Sequence, residues 1–336
     1  MNRDSSVPPL VFAQMLESQA LDPDAIARLR AIMTRDGADE ATLLERDIPA
    51  SLQWFRQVYP ELDIEKATLL GFAFAEQARL TSFGALSVPL VSAGSITEVV
   101  ELLTYLPVIS TAFRPQLHPG DHGLTVGLTA HTGDRALDCL TVTYSGATLL
   151  RLLDMLVGGA PTVTLHLNWS APTALATLQN DLAAAGRLLF DAPMSYLFVP
   201  ADTLDEVCRF SDPLAYRRAV AELKRTLEQR SGDLSFSEKV RKLLEKDPGQ
   251  PHSQWVADEL AVSTSTLKRR LSAEGTTFRE LRESCLRENA MLMLLTRSMS
   301  ASQIASELGY SDLTSFSHAF KRWTGRSPSE FLHSRP

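Results

Sequence analysis

Cysteine is scarce in this chain. Cys139, Cys208 and Cys285 are odd in number and far apart, which fits neither a disulfide framework nor a zinc-ligand spacing. Long apolar runs are missing too: none reaches the roughly 18 residues of a membrane span. The opening MNRDSSVPPLVFAQML has no apolar core with a cleavage site, so a cytoplasmic protein without a membrane segment is expected. Phosphate-binding loops, a glycine fingerprint after a strand, a His-Glu-x-x-His pair and a nucleophile elbow are all absent, so neither an enzyme nor a bound cofactor is expected. The run HPGDH gathers His118, Asp121 and His122, but without a further ligand, and beside Pro and Gly, it reads as a loop rather than a metal site. His131 and His166 fall in strand patterns as ordinary histidines. Positive charge is also lacking overall. A net charge of -7 argues against a nucleic-acid partner for the chain taken whole.

What is present points elsewhere. With 44% hydrophobic and 22% charged residues, 336 residues suffice for two domains with real cores. Charge is unevenly spread. Residues 236–336 hold 15 Lys and Arg against 12 Asp and Glu, a balance of +3, while residues 1–235 hold 18 against 28, a balance of -10. A mildly basic segment thus follows an acidic body, an asymmetry that can mark a nucleic-acid module.

The patterning changes along the chain as well. DPDAIARLRAIMTRDG predicts a helix with Asp22 as N-cap, Pro23 in the first turn and Gly37 as the stop. SITEVVELLTYLP predicts another, opened by a capping box of Ser95 and Glu98. GLTVGLTAH and ALDCLTVTYSG alternate apolar and polar residues around TGDR, which predicts a hairpin. ATLLRLLDMLVGG returns to a helix ended by Gly158 and Gly159, PTVTLHLNW and MSYLFVPAD predict strands, and TALATLQNDLAAAGRLLF and PLAYRRAVAELKRTLEQ predict helices. RSGDLS then breaks the pattern near Ser231–Ser235, and everything beyond it reads as helix. The expected architecture is a mixed α+β domain over 1–232, followed over 236–336 by an all-α domain.

Within the last hundred residues one unit occurs twice. Val256, Ala257, Glu259, Leu260 and Ser263 align with Ile304, Ala305, Glu307, Leu308 and Ser311. Leu267 and Leu271 then align with Phe316 and Phe320, and Gly275 with Gly325. Each copy reads as a helix, a turn of about four residues and a second helix. With those apolar residues facing inward, Ser265, Lys268, Arg269 and Ser272 line the outer side of one second helix, and Thr314, Ser317, His318 and Lys321 that of the other. A polar row on one helix is ordinarily solvated surface, but two rows at equivalent places suggest a shared use. The second helix of a helix-turn-helix enters the DNA major groove, where short polar side chains and Arg reach base edges and flanking cations meet phosphates. Arg269 is the strongest candidate for a bidentate contact to guanine. The helix from about Phe278 to Thr296 joins the units, and two parallel reading helices would meet successive grooves roughly 34 Å apart.

At these residues the chain resembles a known family. Residues 236–336 are similar to the DNA-binding domain of AraC/XylS bacterial transcription regulators, most specifically over IASELGYSDLTSFSHAFKRWTGRSPSEF. The elements A-x-x-x-G-[FY], F-x-x-x-F-[KR] and G-x-[ST]-P-x-x-[FY] all fall between Ala305 and Phe331. The resemblance implies a double helix-turn-helix with base contacts from Ser265, Thr266 and Arg269 in the first unit and Leu313, Thr314 and His318 in the second, with Lys268, Ser317 and Lys321 completing the DNA-facing set. Two departures stand out: Ala261-Val262 where the second copy has Gly309-Tyr310, and Glu288-Asn289 in a connecting helix that often carries Arg.

LDPDAIARLRA, LTSFGALSVPLVSAGSITEVVELLTYL and DPLAYRRAVAELKRTLEQ resemble the effector domain of regulators of the ornithine-utilisation type, a domain of the arabinose-binding kind. That implies a small-molecule effector, of no stated identity, and a homodimer. The partners implied are double-stranded promoter DNA, the effector and RNA polymerase, and activation is the family's commoner mode. Candidate effector contacts are Phe72, Arg79 and Thr81, with Arg114, Tyr144 and Trp169, each of which reads equally well as core or surface. The alternatives are a constitutive dimeric DNA-binding regulator whose first domain binds no ligand, and an enzyme with a regulatory tail.

Overall fold

The structure is a computed structural model that describes residues 6–17, 21–45, 50–159, 162–177, 186–230, 234–249, 252–297 and 299–333. The chain divides into two compact units, one built on residues 4–117 and 126–229 and the other on residues 230–335, with residues 118–125 grouped with the latter. The mixed α/β first region and the helical second region are the expected fold class.

In the first unit the helices are α1 (Pro9–Glu17), α2 (Pro23–Arg35), α3 (Glu40–Glu45), α4 (Gln53–Val58), α5 (Ile64–Gln77), α6 (Ser87–Ser92), α7 (Ile96–Glu101), α8 (Arg135–Val157), α9 (Ala201–Leu204) and α10 (Pro213–Arg230). A short antiparallel pair, β1 (Ser6–Val7) with β2 (Ala50–Ser51), stands apart from the main sheet. That sheet has the order β3-β4-β7-β5-β6, with β3 (Phe113–Gly120), β4 (Gly123–Ala130), β5 (Thr164–His166), β6 (Leu188–Leu189) and β7 (Tyr196–Pro200). β5 runs antiparallel to β7 and parallel to β6.

Local chemistry explains several boundaries. The Asp22 carboxylate accepts the Ala25 N–H and caps α2, as its sequence predicts. Ser95 caps α7 by accepting the Glu98 N–H, but the expected reciprocal bond is not made: the Glu98 carboxylate accepts the Gly94 N–H instead, at 2.6 Å. Gly71 lets α5 and α8 approach closely, since a Cβ there would lie 2.7 Å from the Thr143 side chain. Phe55 joins Phe12 and Phe74 in one aromatic cluster, with ring centroids 5.3 and 5.4 Å away.

Two expected elements differ. ALDCLTVTYSG is not a strand: with ATLLRLLDMLV it forms the single helix α8. The strand from GLTVGLTAH, β4, pairs instead with β3, which precedes it. Asp134 starts α8 by accepting the N–H groups of Ala136 and Leu137. The helix is buried on nearly every side, so it lacks a polar stripe, and Thr141, Val142 and Thr143 add a β-branched run that reads as a strand. By length and composition α8 could cross a membrane, at a mean hydropathy of 1.2, but 67% of that stretch is buried inside the unit, as befits a core helix. TALATLQNDLAAAGRLLF is not one helix either. Thr173–Thr177 is a 3-10 turn, Leu188–Leu189 is strand β6, and residues 178–185 lie outside the described residues. The predicted boundary at Ser231–Ser235 lies partly outside them too.

From residue 234 on, the regular elements among the described residues are all helices: α11 (Phe236–Lys246), α12 (Ser253–Glu259), α13 (Thr264–Ala273), α14 (Phe278–Thr296), α15 (Ala301–Glu307), α16 (Leu313–Thr324) and α17 (Pro328–His333). Ser235, Thr277 and Ser300 open α11, α14 and α15 with full capping boxes. Val240, Leu244, Val256, Ala257, Leu267 and Leu271 form one core with Leu281 and Cys285 of α14. Phe316 and Phe320 are fully buried in the second copy, and Phe320 meets Phe331 edge-on at 5.4 Å. Large side chains of this kind contribute roughly 1.5–3 kcal/mol each on burial.

Candidate nucleic-acid interface and a buried cavity

The two helix-turn-helix copies are built by the same bonds. In the first, the Ala261 N–H reaches the Asp258 carbonyl at 3.0 Å and the Val262 N–H reaches that of Ala257 at 2.9 Å. In the second, Gly309 reaches Ser306 at 3.0 Å and Tyr310 reaches Ala305 at 2.8 Å. Ser263 then caps α13 through the Thr266 N–H, and Asp312 caps α16 through the Ser315 N–H. Those bonds to the Ser315 backbone and hydroxyl hold the Asp312 carboxyl below the usual carboxylate range.

Packing fixes which face of each second helix is free. Leu267 and Leu271 turn α13 inward, as Phe316, Ala319 and Phe320 turn α16. Ser265, Lys268 and Arg269 are exposed on α13, and Leu313, Thr314, His318 and Lys321 are exposed on α16. Thr266 and Ser317 are half-buried, and the Thr266 hydroxyl lies 3.0 Å from the Ser263 hydroxyl, inside the cap. Glu330 lies near enough to Lys321 for its carboxylate to feel that charge. The exposed rows therefore combine hydroxyls, an imidazole, an apolar tip at Leu313 and three cations, groups able to meet base edges and phosphates.

The connecting helix does something different at its departure from the family pattern. Glu288 and Asn289 are both buried. The Glu288 carboxylate accepts the Ser284 hydroxyl at 2.7 Å and faces the buried Arg241 guanidinium at 3.9 Å. Asn289 donates to the Cys285 carbonyl at 2.9 Å. Glu288 thus joins α14 to α11 inside the unit, Asn289 bonds back within α14, and both side chains are withdrawn from the surface.

The first unit holds a partly open cavity of about 90 Å³ between α1, α5, α8, β4 and the segment Leu102–Phe113. Its wall is almost all carbon, from residues such as Val11, Met15, Phe55, Phe74, Leu128 and Leu149. Of the six expected effector contacts, only Tyr144 lines it. Phe72 is packed in the core, and Arg79 and Thr81 are exposed, with Thr81 accepting from the Gln14 amide. Arg114 lies on β3, and Trp169 is buried 5.9 Å from the Arg135 guanidinium. Enclosure by protein pushes the Tyr144 phenol up to about 12, against the opposing pull of the Ser82 and Thr148 hydroxyls. Sequence periodicity could not have found this wall, because its residues come from many elements.

Among the described residues no group of three or more His, Cys, Asp or Glu is arranged to hold a metal ion. His118 lies on β3 and His122 in the turn after it, while His166 stacks on Tyr196 with ring centroids 4.1 Å apart. All three cysteines are free and buried. Burial pushes the Cys139 and Cys208 thiols up to about 11, the opposite of a reactive thiolate.

Comparison with known proteins gives two matches that together span most of the chain. Residues 65–207 match the arabinose-binding domain found at the N-terminus of AraC transcription regulators, and residues 256–334 match a helix-turn-helix domain. The HTH-type transcriptional regulator VqsM of Pseudomonas aeruginosa is 33% identical over 140 residues, 40% of this chain and 42% of that one. The ornithine utilization regulator of the same organism is 24% identical over 267 residues, 78% of each chain. The match thus spans less than half the length of the first relative and about three-quarters of the second. The crystal structure of the regulator CdpR from Pseudomonas aeruginosa is similar over 93% of this chain and 99% of that one, at 20% identity and a TM-score of 0.40.

Proposed function

We propose that this chain, which belongs to the AraC family of DNA-binding transcription regulators with an N-terminal ligand-binding domain, activates transcription at specific promoters when a small molecule occupies its first domain. Residues 236–336 would read DNA with α13 and α16, and residues 1–232 would hold the effector and pair with a second copy. The observation that carries this reading is the doubled turn, with two outward rows left exposed by the same inward packing. Arg269 would read guanine, Ser265, Thr266, Thr314 and His318 would meet base edges, and Leu313 would meet a thymine methyl or a sugar. Lys268, Ser317 and Lys321 would sit on the phosphates. Such a protein works in the cytoplasm, with RNA polymerase as its downstream partner.

One helix supports a link between effector and output. α8 carries Tyr144 and Thr148 in the cavity wall. Two turns further on, the Leu156 carbonyl accepts the Arg209 N–H at 2.7 Å, and the Gly158 carbonyl accepts the Arg209 guanidinium at 2.7 Å. From Arg209 the chain leads directly into α10, whose Tyr216 hydroxyl reaches the Glu98 carbonyl at 3.4 Å. An effector that favours one setting of α8 would favour one setting of α10. The test is a mobility-shift assay of the full chain on the promoter of its own gene, with and without a set of metabolites. A metabolite that changes promoter affinity or reporter output supports regulation by an effector. Unchanged affinity and output with every metabolite would favour a constitutive DNA-binding protein.

A further inference from the structure

The cavity holds more information than its existence. Among its described lining residues there is no Asp, Glu, Lys, Arg or His. The lining contains six hydroxyl-bearing side chains, but several are already committed. Ser82 bonds the Gln14 side chain and the Arg79 N–H, Ser110 donates to the Ser6 carbonyl, and Thr141 donates to the Leu137 carbonyl at 2.8 Å. Thr148 is different: it is 5% exposed and lines the cavity, and its hydroxyl makes no hydrogen bond of good geometry, although the Tyr144 phenol lies close enough to feel it. Tyr144, one turn before it on α8, is enclosed by protein yet keeps surface open on the cavity side.

A buried hydroxyl left unpaired costs about 1–3 kcal/mol, so the site gains from a ligand group that pairs it. A charged ligand would have to shed its hydration with no opposite charge to meet, which a carbon-lined wall does not repay. A pentose would carry several hydroxyls into a carbon-lined space where half of the wall's few hydroxyls are already spoken for. The closed part of the cavity is smaller than the apolar cavity of roughly 150 Å³ that takes benzene, but the cavity is open on one side, so it takes a compact, single-ring molecule that reaches toward the mouth, with Met15 as the adaptable part of the wall.

We propose that this cavity binds a small uncharged, mainly apolar molecule with one hydrogen-bonding group set against Thr148 and Tyr144, and that neither a free sugar nor an amino acid is its ligand. The inference rests on the reading of the first domain as a sensor and specifies the chemical class it senses. It separates this chain from what the names of its domain and of its relative would suggest.

Calorimetric titration of the full chain with benzyl alcohol, toluene, L-arabinose and L-ornithine tests it, on the wild type and on Thr148→Val. Benzyl alcohol should bind more tightly than toluene, and the sugar and the amino acid should give no heat of binding. Thr148→Val should weaken benzyl alcohol about fivefold to tenfold and leave toluene unchanged, as loss of one neutral hydrogen bond requires. The ligand-free variant should melt at or above the wild-type temperature, because its unpaired hydroxyl is gone; Tyr144→Phe serves as a second variant with the same expected loss. Binding of arabinose or ornithine would overturn the ligand class and leave the sensor reading standing. Failure of both benzyl alcohol and toluene to bind would also overturn it, while a metabolite of another class that shifts promoter affinity would still support the sensor.

Discussion

Ala261 and Gly309 occupy the same turn position in two copies of one motif, and both have left-handed backbones, with φ of +52° and +76°. Glycine adopts this conformation freely, whereas alanine there costs on the order of 1 kcal/mol or more. Ala261→Gly should therefore stabilise the helical unit by about 0.5–1 kcal/mol, seen as a rise of a few degrees in its thermal midpoint. The reverse change is not symmetric. A Cβ at Gly309 would lie 2.2 Å from the Gly249 carbonyl oxygen, so Gly309→Ala should lower the midpoint clearly. A fall in the midpoint for Ala261→Gly, or no fall for Gly309→Ala, would contradict this account of the two turns.

The exposed cations of the two reading helices should behave differently. Arg269→Ala should weaken binding to the cognate site by roughly 1–3 kcal/mol and relax specificity at one base position. Lys321→Ala should weaken binding to all sequences alike and reduce the slope of log affinity against log salt by about 1. Competition assays with point-substituted sites, repeated across a salt series, separate the two behaviours.

Glu288 should matter to stability and not to DNA contact. Its side chain and that of Arg241 are 6% and 10% exposed, so Glu288→Ala strands a buried guanidinium, at a cost of about 3 kcal/mol or more. The double variant Arg241→Met with Glu288→Leu should recover most of that loss in chemical denaturation, because it removes both charges together.

Asp134 makes a second testable pair. The Arg56 guanidinium grips its carboxylate through two bonds of 2.6 and 2.7 Å, and the same carboxylate caps α8. The Arg56 hydrogen bonds hold its carboxyl below the usual range. A carboxylate depressed in the folded state contributes stability that is complete above the unfolded value of about 3.9 and disappears as pH falls through the lower folded value. The wild-type chain should therefore lose stability below about pH 4 more steeply than Asp134→Asn, in parallel melts of the two proteins.

The contrast between the two units explains what the sequence makes legible. The helix-turn-helix copies rest on local signals: helical spacing of Leu267 and Leu271 or Phe316 and Phe320, caps at Ser263 and Asp312, and a glycine at 309. Those signals lie within about 25 residues of one another and repeat, so each copy corroborates the other. The first unit offers no such help. α8 is surrounded by apolar neighbours and carries β-branched residues at its centre, so its helical period is hidden and a strand is the natural misreading. The cavity wall draws on segments as distant as Val7 and Leu149, a grouping that exists only once the chain has folded. Tyr144 stands out in the sequence as a polar-tipped aromatic, whereas Thr148 is one threonine among many until its unpaired hydroxyl is seen in place.

Sequence-specific binding by the two outward rows is tested most directly on the full chain and the promoter of its own gene, with a scrambled duplex of equal length as control. The wild type should bind the promoter far more tightly than the scrambled duplex, with affinity falling steeply as salt rises. Arg269→Ala combined with His318→Ala should erase that preference while leaving weak, salt-dependent binding to both duplexes. Equal binding of promoter and scrambled DNA by the wild type, or a preference that survives the double substitution, would contradict the assignment of α13 and α16 as the reading helices.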